Sequence, residues 1–343
     1  MAELKIAMVT PWHVRCGIAT YSEHLAYALA EEGVEVDIVR LPRFGQKSPE
    51  ILQDVAERVP NDVDLIHVQH EYGLFQNLDI GFYKALKQLE KPIVTTMHAM
   101  GSIGVDDFIA ATSSRVIVHN EYCLKRFPYP NALIIPHGAS PTEAPSMEEA
   151  KKVFGIDSKF PVVGYLGFIS PYKGLENLVQ AMVDVKAGLL MGGGWHVETE
   201  TQYMEALKAF GNKLLPHRVQ WLGFVSDDML KYAYGAMDCL VYPSKFSTES
   251  GALITGLSYG RATIASKIPP FQEKEKEGAL ITFKSVQDLT RKIKRVLKDD
   301  DFRRKLEGGA RKWAYENRWE AVAEKHIKLY EEVIKRYGET TKG

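Results

Sequence analysis

The sequence predicts an α/β protein made of two doubly wound, Rossmann-like domains. Apolar runs rich in Val, Ile and Leu alternate with helical patterns along most of the chain, which is typical of a parallel sheet covered by helices on both faces. The chain has 343 residues, so two domains of about 150–170 residues are expected. A polar, proline-bearing stretch over residues 139–147 separates two such series and is typical of a linker.

The first series predicts a domain over residues 1–138. Its strand-like runs are LKIAMVT, VEVDIVRL, DLIHVQH, PIVTTMH, RVIVHN and ALIIPHG. Helical patterns lie between them, in EHLAYALAEEG and over residues 52–58, 82–89 and 121–127. Each run is too short for a buried helix and is followed by a turn signal, so we interpret it as a strand.

The second series predicts a domain over residues 139–319. Its strand-like runs are PVVGYLGF, AGLLMGG, RVQWLGF, CLVYPS, ATIAS and GALITF. After Ser285 the pattern is helical as far as the carboxyl end. The two series share the same alternation without visible sequence identity, so we treat them as separate folding units.

Composition excludes several classes of function. Lys and Arg total 43 against 44 Asp and Glu, without a basic block, so nucleic acid is not an expected partner. The three cysteines are far apart, which favours neither disulfides nor a zinc site and points to the cytoplasm. The opening MAELKIAMVTPW is interpreted as a strand rather than a signal sequence, and no run of about 20 apolar residues predicts a membrane span. Peripheral membrane contact stays open.

Two strand-to-helix loops in the second series suit an anion. In YPSKFSTESGALITG, polar residues precede a helical run, so the amides of Ser250 and Gly251 are expected to face an anion. In YLGFISPYKGLENL, Lys173 stands at a similar helix start, where a cation opposes the helix dipole and is therefore better explained by function. Two such loops predict a nucleoside diphosphate ligand.

Seven segments resemble a known family in their order along the chain. They are TPWHVRCGIATYSEHLAYAL, VQHEYGLF, TTMHAMG, IIPHGAS, GFISPYKG, VQWLGFVSDDMLKYAYGAMDCLVYPS and GLSYGRATIAS. Together they resemble glycosyltransferase family 4, whose members are retaining, nucleotide-sugar-dependent enzymes of the GT-B fold. The resemblance implies two facing Rossmann-like domains across a cleft, with a last helix, residues 320–343, that returns to the first domain.

The resemblance also implies donor-binding residues. In the second domain it points to Lys173 and its loop residue Ser170, to the base-side wall at Phe224 and Val225, and to the helix start. The further donor-side candidates are Gly17, Gly194, Glu249, Ser250, Gly251, Ala252 and Thr255. Gly17 either approaches the diphosphate from the first domain or only lets the chain turn, and Gly194 either approaches a phosphate or belongs to a plain turn.

Histidines at strand ends are the candidates in the first domain. His98 follows TTM, where the resemblance implies a hydrogen bond to the transferred sugar. His70 and Glu71 follow another strand and are assigned to the acceptor side, against a structural alternative. His119 and His137 also end strands and are interpreted as structural.

The chain departs from the family pattern at two points. The family's two glutamates fall on Ser247 and Thr255 when the segments are aligned without gaps. Either Glu249 recovers the lost role, or amides bind the phosphate and the Thr255 hydroxyl binds ribose. The family's arginine before the lysine is also missing, and Arg15 or Lys245 is a substitute.

The sequence therefore predicts a hexosyltransferase that moves a sugar from GDP-mannose or a UDP-sugar to an acceptor hydroxyl. The acceptor is a glycan, a lipid or a small polyol, shaped by loops over residues 44–49 and 100–107. No metal and no cofactor are expected. The alternatives are a nucleotide-sugar epimerase or phosphorylase, and a non-catalytic nucleotide-sugar-binding protein.

Overall fold

The computed structural model describes residues 4–42, 47–194 and 201–341. The chain divides into two compact units. Met1–Gly138 and Asn317–Gly343 form the first unit, and Ala139–Glu316 forms the second. In the described ranges, no helix is both long enough and apolar enough to span a bilayer.

One parallel sheet forms the centre of the first unit. In its described part the strands lie in the order β2-β1-β3-β4-β5-β6. They are β1 (Lys5–Thr10), β2 (Glu35–Arg40), β3 (Leu65–His70), β4 (Ile93–Met97), β5 (Arg115–Val118) and β6 (Ala132–Ile134). The helices between them are α1 (Gly17–Glu31), α2 (Pro49–Glu57), α3 (Tyr72–Phe75), α4 (Asp79–Lys87), α5 (Ile103–Thr112) and α6 (Glu121–Arg126). Every residue of β3 and β4 is buried, as expected for central strands with helices on both faces.

The second unit contains another parallel sheet, in the order β12-β11-β10-β7-β8-β9. Its strands are β7 (Val162–Leu166), β8 (Gly188–Gly192), β9 (Val219–Gly223), β10 (Cys239–Tyr242), β11 (Thr263–Ser266) and β12 (Ile281–Phe283). Its helices are α7 (Met147–Val153), α8 (Leu175–Ala181), α9 (Thr201–Leu214), α10 (Asp227–Gly235), α11 (Gly251–Ser258), α12 (Pro269–Lys276), α13 (Val286–Lys298) and α14 (Asp300–Glu316). Two 3-10 turns, Pro171–Lys173 and Met182–Asp184, flank α8.

The last helix, α15 (Trp319–Thr341), packs on the first unit. Trp319 and Tyr330 join Tyr21 and Leu25 of α1 in one buried apolar cluster. A Cβ added to Gly138 would lie 2.3 Å from the Trp319 ring, so the indole rests directly on the backbone there.

The strand order fixes where ligand sites are expected. In the first sheet the order reverses between β1 and β3, and in the second it reverses between β7 and β10. Loops diverge at such points and leave a crevice at the carboxyl ends of the strands.

The predicted α/β fold with doubly wound sheets is confirmed. The interpretation of residues 100–107 as a loop is wrong in part, because α5 begins at Ile103. Residues 44–46 of the other acceptor loop lie outside the described ranges.

Candidate functional site

The loops after β7 and β10 meet at the reversal point of the second sheet. The backbone amide of Lys245 donates to the carbonyl of Tyr172 at 2.8 Å. Gly174 has a φ of +62°, and a Cβ there would lie 2.5 Å from the Pro243 carbonyl oxygen. Both observations require glycine at this position. The two predicted anion loops are therefore held together by the fold.

Lys173 is a buried cation with no counter-ion among the described residues. Only 9% of the residue is exposed, and its Nζ lies 4.7 Å from the centre of the Tyr172 ring. Among the described residues, no carboxylate pairs with this ammonium and no acceptor takes its hydrogen bonds. Desolvation lowers the pKa of Lys173 from 10.5 to about 8. An anion beside Nζ would supply the missing partner.

The start of α11 lies against the loop after β7, since a Cβ on Gly167 would be 3.0 Å from Ala252 Cβ. Ser250 is the N-cap, and its Oγ accepts from the Leu253 amide at 3.3 Å. The amides of Gly251 and Ala252 donate to no acceptor within the described ranges. Gly251 is exposed and Ala252 is half-buried, so a phosphate could accept from both.

The prediction that the Ser250 amide faces a phosphate is wrong. That amide donates to Glu249 Oε1 at 2.9 Å. The other carboxylate oxygen of Glu249 pairs with Lys274 Nζ at 2.7 Å, and the two side chains are only 7% and 5% exposed. Glu249 therefore fixes the entry to α11 through the protein, and a direct ligand contact is not supported. The sequence could not show this because Lys274 lies on another helix.

Thr255 lies one turn after Gly251. Its Oγ1 donates to the Gly251 carbonyl at 3.0 Å, and the side chain is half-buried. A hydroxyl oxygen that donates still has lone pairs to accept from a ribose hydroxyl. The role of Thr255 at the ribose stays a prediction.

The exits of β7, β8 and β9 are joined by backbone hydrogen bonds. Gly193 donates to the Gly223 carbonyl at 2.6 Å, and Ile169 donates to the Gly194 carbonyl at 2.9 Å. At Gly193, with a φ of +143°, a Cβ would come within 1.7 Å of the Gly167 carbonyl oxygen. Gly193 is thus required by the fold. Gly194 shows no such clash, so its phosphate role stays a prediction.

The predicted base-side wall lies just after β9. Phe224 is 56% exposed, and Val225 is half-buried. Both remain predicted contacts of the nucleobase. Trp195 and His196, which the sequence groups with the glycine-rich exit, lie outside the described residues.

Lys245 does not replace the missing arginine. Its Nζ pairs with Glu176 at 2.5 Å, and its side chain is 53% exposed. The positive charge of Lys245 is therefore neutralised at the surface. Ser170, in contrast, is 3% exposed and is the N-cap of the 3-10 turn that carries Lys173.

In the first unit, His98 lies directly after β4. Its Nε2 is 2.9 Å from Gln69 Oε1, and its Nδ1 is 3.4 Å from His119 Nε2. Burial and the neighbouring histidines hold the pKa of His98 well below 6.5, so the ring is neutral near pH 7. The ring of Tyr21 packs against His98, His119 and His137 with centroids 4.9–5.2 Å apart. The sequence identified His98 but missed Gln69 and Tyr21, which come from other elements.

The assignment of His70 to the acceptor side is wrong. His70 is fully buried, its Nε2 lies 2.7 Å from Asp79 Oδ1, and its ring stacks on Phe75 at 4.9 Å. The side chain points into the core because Asp79, at the start of α4, supplies an acceptor there. Glu71 is half-buried at the N-cap of α3, and its acceptor role stays a prediction.

Gly17 is the first residue of α1 and is exposed. Its φ is not positive, and a Cβ would meet no atom within 4 Å. The described packing therefore does not require glycine here, which weakens the alternative that it only allows a turn. The donor-side role of Gly17 stays a prediction.

Comparisons with known proteins show which family the second unit is similar to. The profile of the family described as glycosyl transferases group 1 matches residues 146–313. The second unit is therefore similar to the glycosyl transferases of group 1. The matched segment contains Lys173, Gly251 and Ala252.

Relatives and solved structures align with nearly the whole chain. An uncharacterized glycosyltransferase of Methanocaldococcus jannaschii is 23% identical and aligns with 98% of this chain and 100% of its own. Sucrose-phosphate synthase from Thermosynechococcus elongatus has a TM-score of 0.79 at 21% identity, covering 97% of this chain and 100% of its own. The Anabaena protein HepE, in complex with UDP and glucose, has a TM-score of 0.79 at 16% identity, covering 96% and 100%. These likenesses show the GT-B fold of two Rossmann-like domains.

Proposed function

We propose that this protein is a glycosyltransferase, which moves a hexosyl group from a nucleoside diphosphate sugar to an acceptor hydroxyl and retains the anomeric configuration. The observation that carries the proposal is the buried ammonium of Lys173, which has no counter-ion in the described residues and belongs to the loop that packs against the start of α11, where the amides of Gly251 and Ala252 are open. A departing diphosphate gains negative charge as the glycosidic bond breaks. Preorganised donors at that position therefore stabilise the transition state more than the ground state.

The donor is a UDP-sugar or GDP-mannose, and UDP-glucose is the first to test. HepE, which shares the fold, was crystallised with UDP and glucose. The acceptor, a glycan, lipid or small polyol, binds to the first unit, where His98 orients the sugar. The three cysteines are buried and form no disulfide, and we place the reaction in the cytoplasm.

The transfer proceeds on one face of the sugar. The bond between the anomeric carbon and the diphosphate oxygen breaks, and the acceptor oxygen bonds to the same face while its proton passes to the leaving phosphate. The carboxylates near the crevice are engaged elsewhere, since Glu249 pairs with Lys274 and Glu176 pairs with Lys245. This engagement favours front-face displacement over a carboxylate nucleophile. We also propose that no metal and no cofactor are required.

The test compares Lys173→Ala with the matched variant Lys245→Ala, which removes a half-exposed, paired lysine from the adjacent loop. Loss of a buried charge partner costs about 2–5 kcal/mol, or roughly 30-fold or more in affinity. We expect Lys173→Ala to weaken UDP binding by at least this factor and to lower transfer further. Lys245→Ala should stay within about twofold of wild type. Calorimetry with UDP and assays with a panel of nucleotide sugars measure both.

The products decide among related reactions. Retained configuration at the anomeric carbon, read by proton NMR, supports retaining transfer. An epimerised donor would indicate an epimerase, and a sugar phosphate would indicate a phosphorylase. Activity should persist in the presence of a chelator. If no donor is transferred or hydrolysed, and Lys173→Ala binds UDP as well as wild type does, the proposal is wrong.

A further inference from the structure

A cavity opens at the carboxyl edge of the second sheet, where β10, β11 and β12 end. Its volume is about 370 Å³, which is within the range of small-molecule sites. Asn177 of α8 and Ser244, which follows β10, lie in its walls together with Lys267 and Lys284. The described lining contains neither Lys173 nor any residue of α11, so it is separate from the lining of the candidate donor site.

Ser244 brings hydrogen-bond donors to this cavity. Only 1% of the residue is exposed, and neither its amide nor its hydroxyl has a hydrogen-bond partner among the described residues. Buried polar groups nearly always have such a partner. A ligand oxygen in the cavity would accept from both groups. The side chain of Asn177, which is half-buried and also lacks a partner in the described ranges, can donate beside them.

Two exposed lysines add positive charge to the cavity. Lys267 lies just before α12, and Lys284 lies just before α13. A cation at a helix start is unfavourable because of the helix dipole, yet neither ammonium pairs with a carboxylate of the described chain. The other lysine of the lining, Lys245, is paired with Glu176 at 2.5 Å. The positive charge available to a ligand therefore comes from Lys267 and Lys284.

Negative charge is scarce in the cavity. The described lining residues include no carboxylate. Asp288, in the first turn of α13, is engaged by the protein, because it accepts from the Lys284 amide at 3.0 Å and pairs with Lys292 at 3.2 Å. The cavity thus combines buried donors with positive charge, and this combination is suited to an anion.

The number of donors and the charge favour a phosphate group over a carboxylate. A phosphomonoester presents three terminal oxygens and a charge close to −2 at neutral pH, which matches two lysines and several donors. A carboxylate has two oxygens and a single charge. The cavity is larger than a phosphate ion needs, and Pro243, Ile268 and Phe283 supply apolar wall for a small organic group.

We propose that this cavity is a second anion site, which binds the phosphate of a small phosphomonoester through Ser244, Asn177, Lys267 and Lys284. The inference does not depend on the proposed function, because it uses none of the donor-side residues. The two sites are close in the fold. The loop that carries Ser244 also holds the Lys173 loop, through the hydrogen bond from the Lys245 amide to the Tyr172 carbonyl at 2.8 Å.

The first experiment measures binding by calorimetry at low ionic strength. The probes are glucose 6-phosphate, glycerol 3-phosphate, inorganic phosphate and uncharged glucose. We expect at least one of the two esters to bind roughly tenfold more tightly than inorganic phosphate, glucose not to bind, and added salt to weaken the binding of the esters. Equal affinity for the esters and inorganic phosphate would overturn the assignment of the ligand class.

Two conditions separate this cavity from the donor site. The esters should bind with unchanged affinity in the presence of saturating UDP, and Lys173→Ala should bind them as the wild type does. Complete displacement of the esters by UDP, or loss of their binding in Lys173→Ala, would overturn the inference. If the wild type does not bind UDP, the proposed function fails, whereas the binding of the esters to Lys173→Ala still tests the cavity.

Ser244→Ala tests the buried donor. Since the hydroxyl has no partner in the described protein, its removal should leave the thermal unfolding temperature unchanged. The affinity for the tighter ester should fall roughly tenfold, as expected for a hydrogen bond to a charged group. Unchanged ester affinity, with or without a loss of stability, would contradict the inference.

The matched charge variants complete the test. Lys267→Gln, Lys284→Gln should weaken ester binding about tenfold. The control Lys276→Gln, Lys298→Gln removes two other exposed lysines, on α12 and α13 but outside the cavity, and should stay within about twofold of wild type. Equal losses in the two double variants would assign the effect to net charge and overturn the site.

Discussion

At the residue scale, the ammonium of Lys173 links the candidate site to the stability of the protein. Burial lowers its pKa from 10.5 to about 8, so between these pH values the unfolded chain binds more protons than the folded one. Stability therefore rises with pH through this window. Below about pH 8 the buried charge costs roughly 3 kcal/mol. A cost of this kind at a cleft residue is typical of a functional group.

Replacing Lys173 by Met should stabilise the protein while removing the anion site. We expect Lys173→Met to raise the free energy of unfolding at pH 7 by about 1–3 kcal/mol, because an apolar side chain has no charge to desolvate. The rise in stability between pH 8 and 10 should disappear in the variant. Urea unfolding at pH 7, 8, 9 and 10 measures both effects. Lys245→Met, at an exposed ion pair, is the control and should change little; equal pH profiles for Lys173→Met and wild type would contradict the account.

The sequence revealed some residues of the candidate site and not others. Lys173 was predictable because a cation at a helix start is unfavourable unless it has a partner. The hydrogen-bond partners of His70 and of the Ser250 amide were not predictable, because these partners are side-chain carboxylates whose positions depend on the folded chain. A strand-end position predicts that a residue is near the crevice, but only tertiary contacts decide where its polar atoms point.

At the scale of elements, the buried pair of Glu249 and Lys274 joins the loop before α11 to α12. The Glu249 carboxylate also accepts from the Ser250 amide, so it sets the path by which the chain enters α11. That path leaves the Gly251 and Ala252 amides open. The pair thus supports the site without facing the ligand.

Glu249→Gln tests this supporting role. The amide oxygen of Gln can still accept from Ser250, but the buried ammonium of Lys274 loses its counter-charge, which typically costs about 3–5 kcal/mol. We expect a loss of this order in urea unfolding, with UDP affinity of the folded protein within about threefold of wild type. The double variant Glu249→Gln, Lys274→Met should recover much of the loss. A large fall in UDP affinity without a loss of stability would instead assign Glu249 to the ligand.

The secondary structure itself was largely predictable. Each predicted strand run contains a strand of the structure, from β1 to β12, because continuous apolar runs of this length suit a sheet that is buried on both faces. Helix starts were less certain. The sequence did not show that α5 begins at Ile103 or that α3 exists over Tyr72–Phe75, because neither has a side-chain cap to mark it.

At the scale of the whole molecule, the two units differ in how the chain builds them. The second unit is one continuous segment with its own apolar core, whereas the first combines two distant segments. The alternation of strands and helices predicted the doubly wound class. It did not give the strand order, which depends on the side of the sheet to which each connection returns, and this order is what brings the Lys173 loop beside α11.

This difference predicts how fragments behave. A fragment of residues 139–316 should fold cooperatively and bind UDP within about tenfold of the full chain, since it contains Lys173 and the start of α11 and buries its own core. A fragment of residues 1–138 should not fold cooperatively. It lacks Trp319, which covers Gly138, and Tyr330, whose hydroxyl forms a hydrogen bond with buried His67.

The dispersion of the NMR spectra measures the folding of each fragment, and calorimetry measures the affinity of each fragment for UDP. As a control, a synthetic peptide of residues 317–343 is added to the 1–138 fragment. We expect that peptide to restore dispersion in the 1–138 fragment, because α15 fills the cluster that α1 leaves open. If residues 1–138 fold without the peptide, α15 is not needed to form the core of the first unit. If a folded 139–316 fragment fails to bind UDP, the described crevice is not sufficient for the nucleotide, and the binding energy must come from residues outside it.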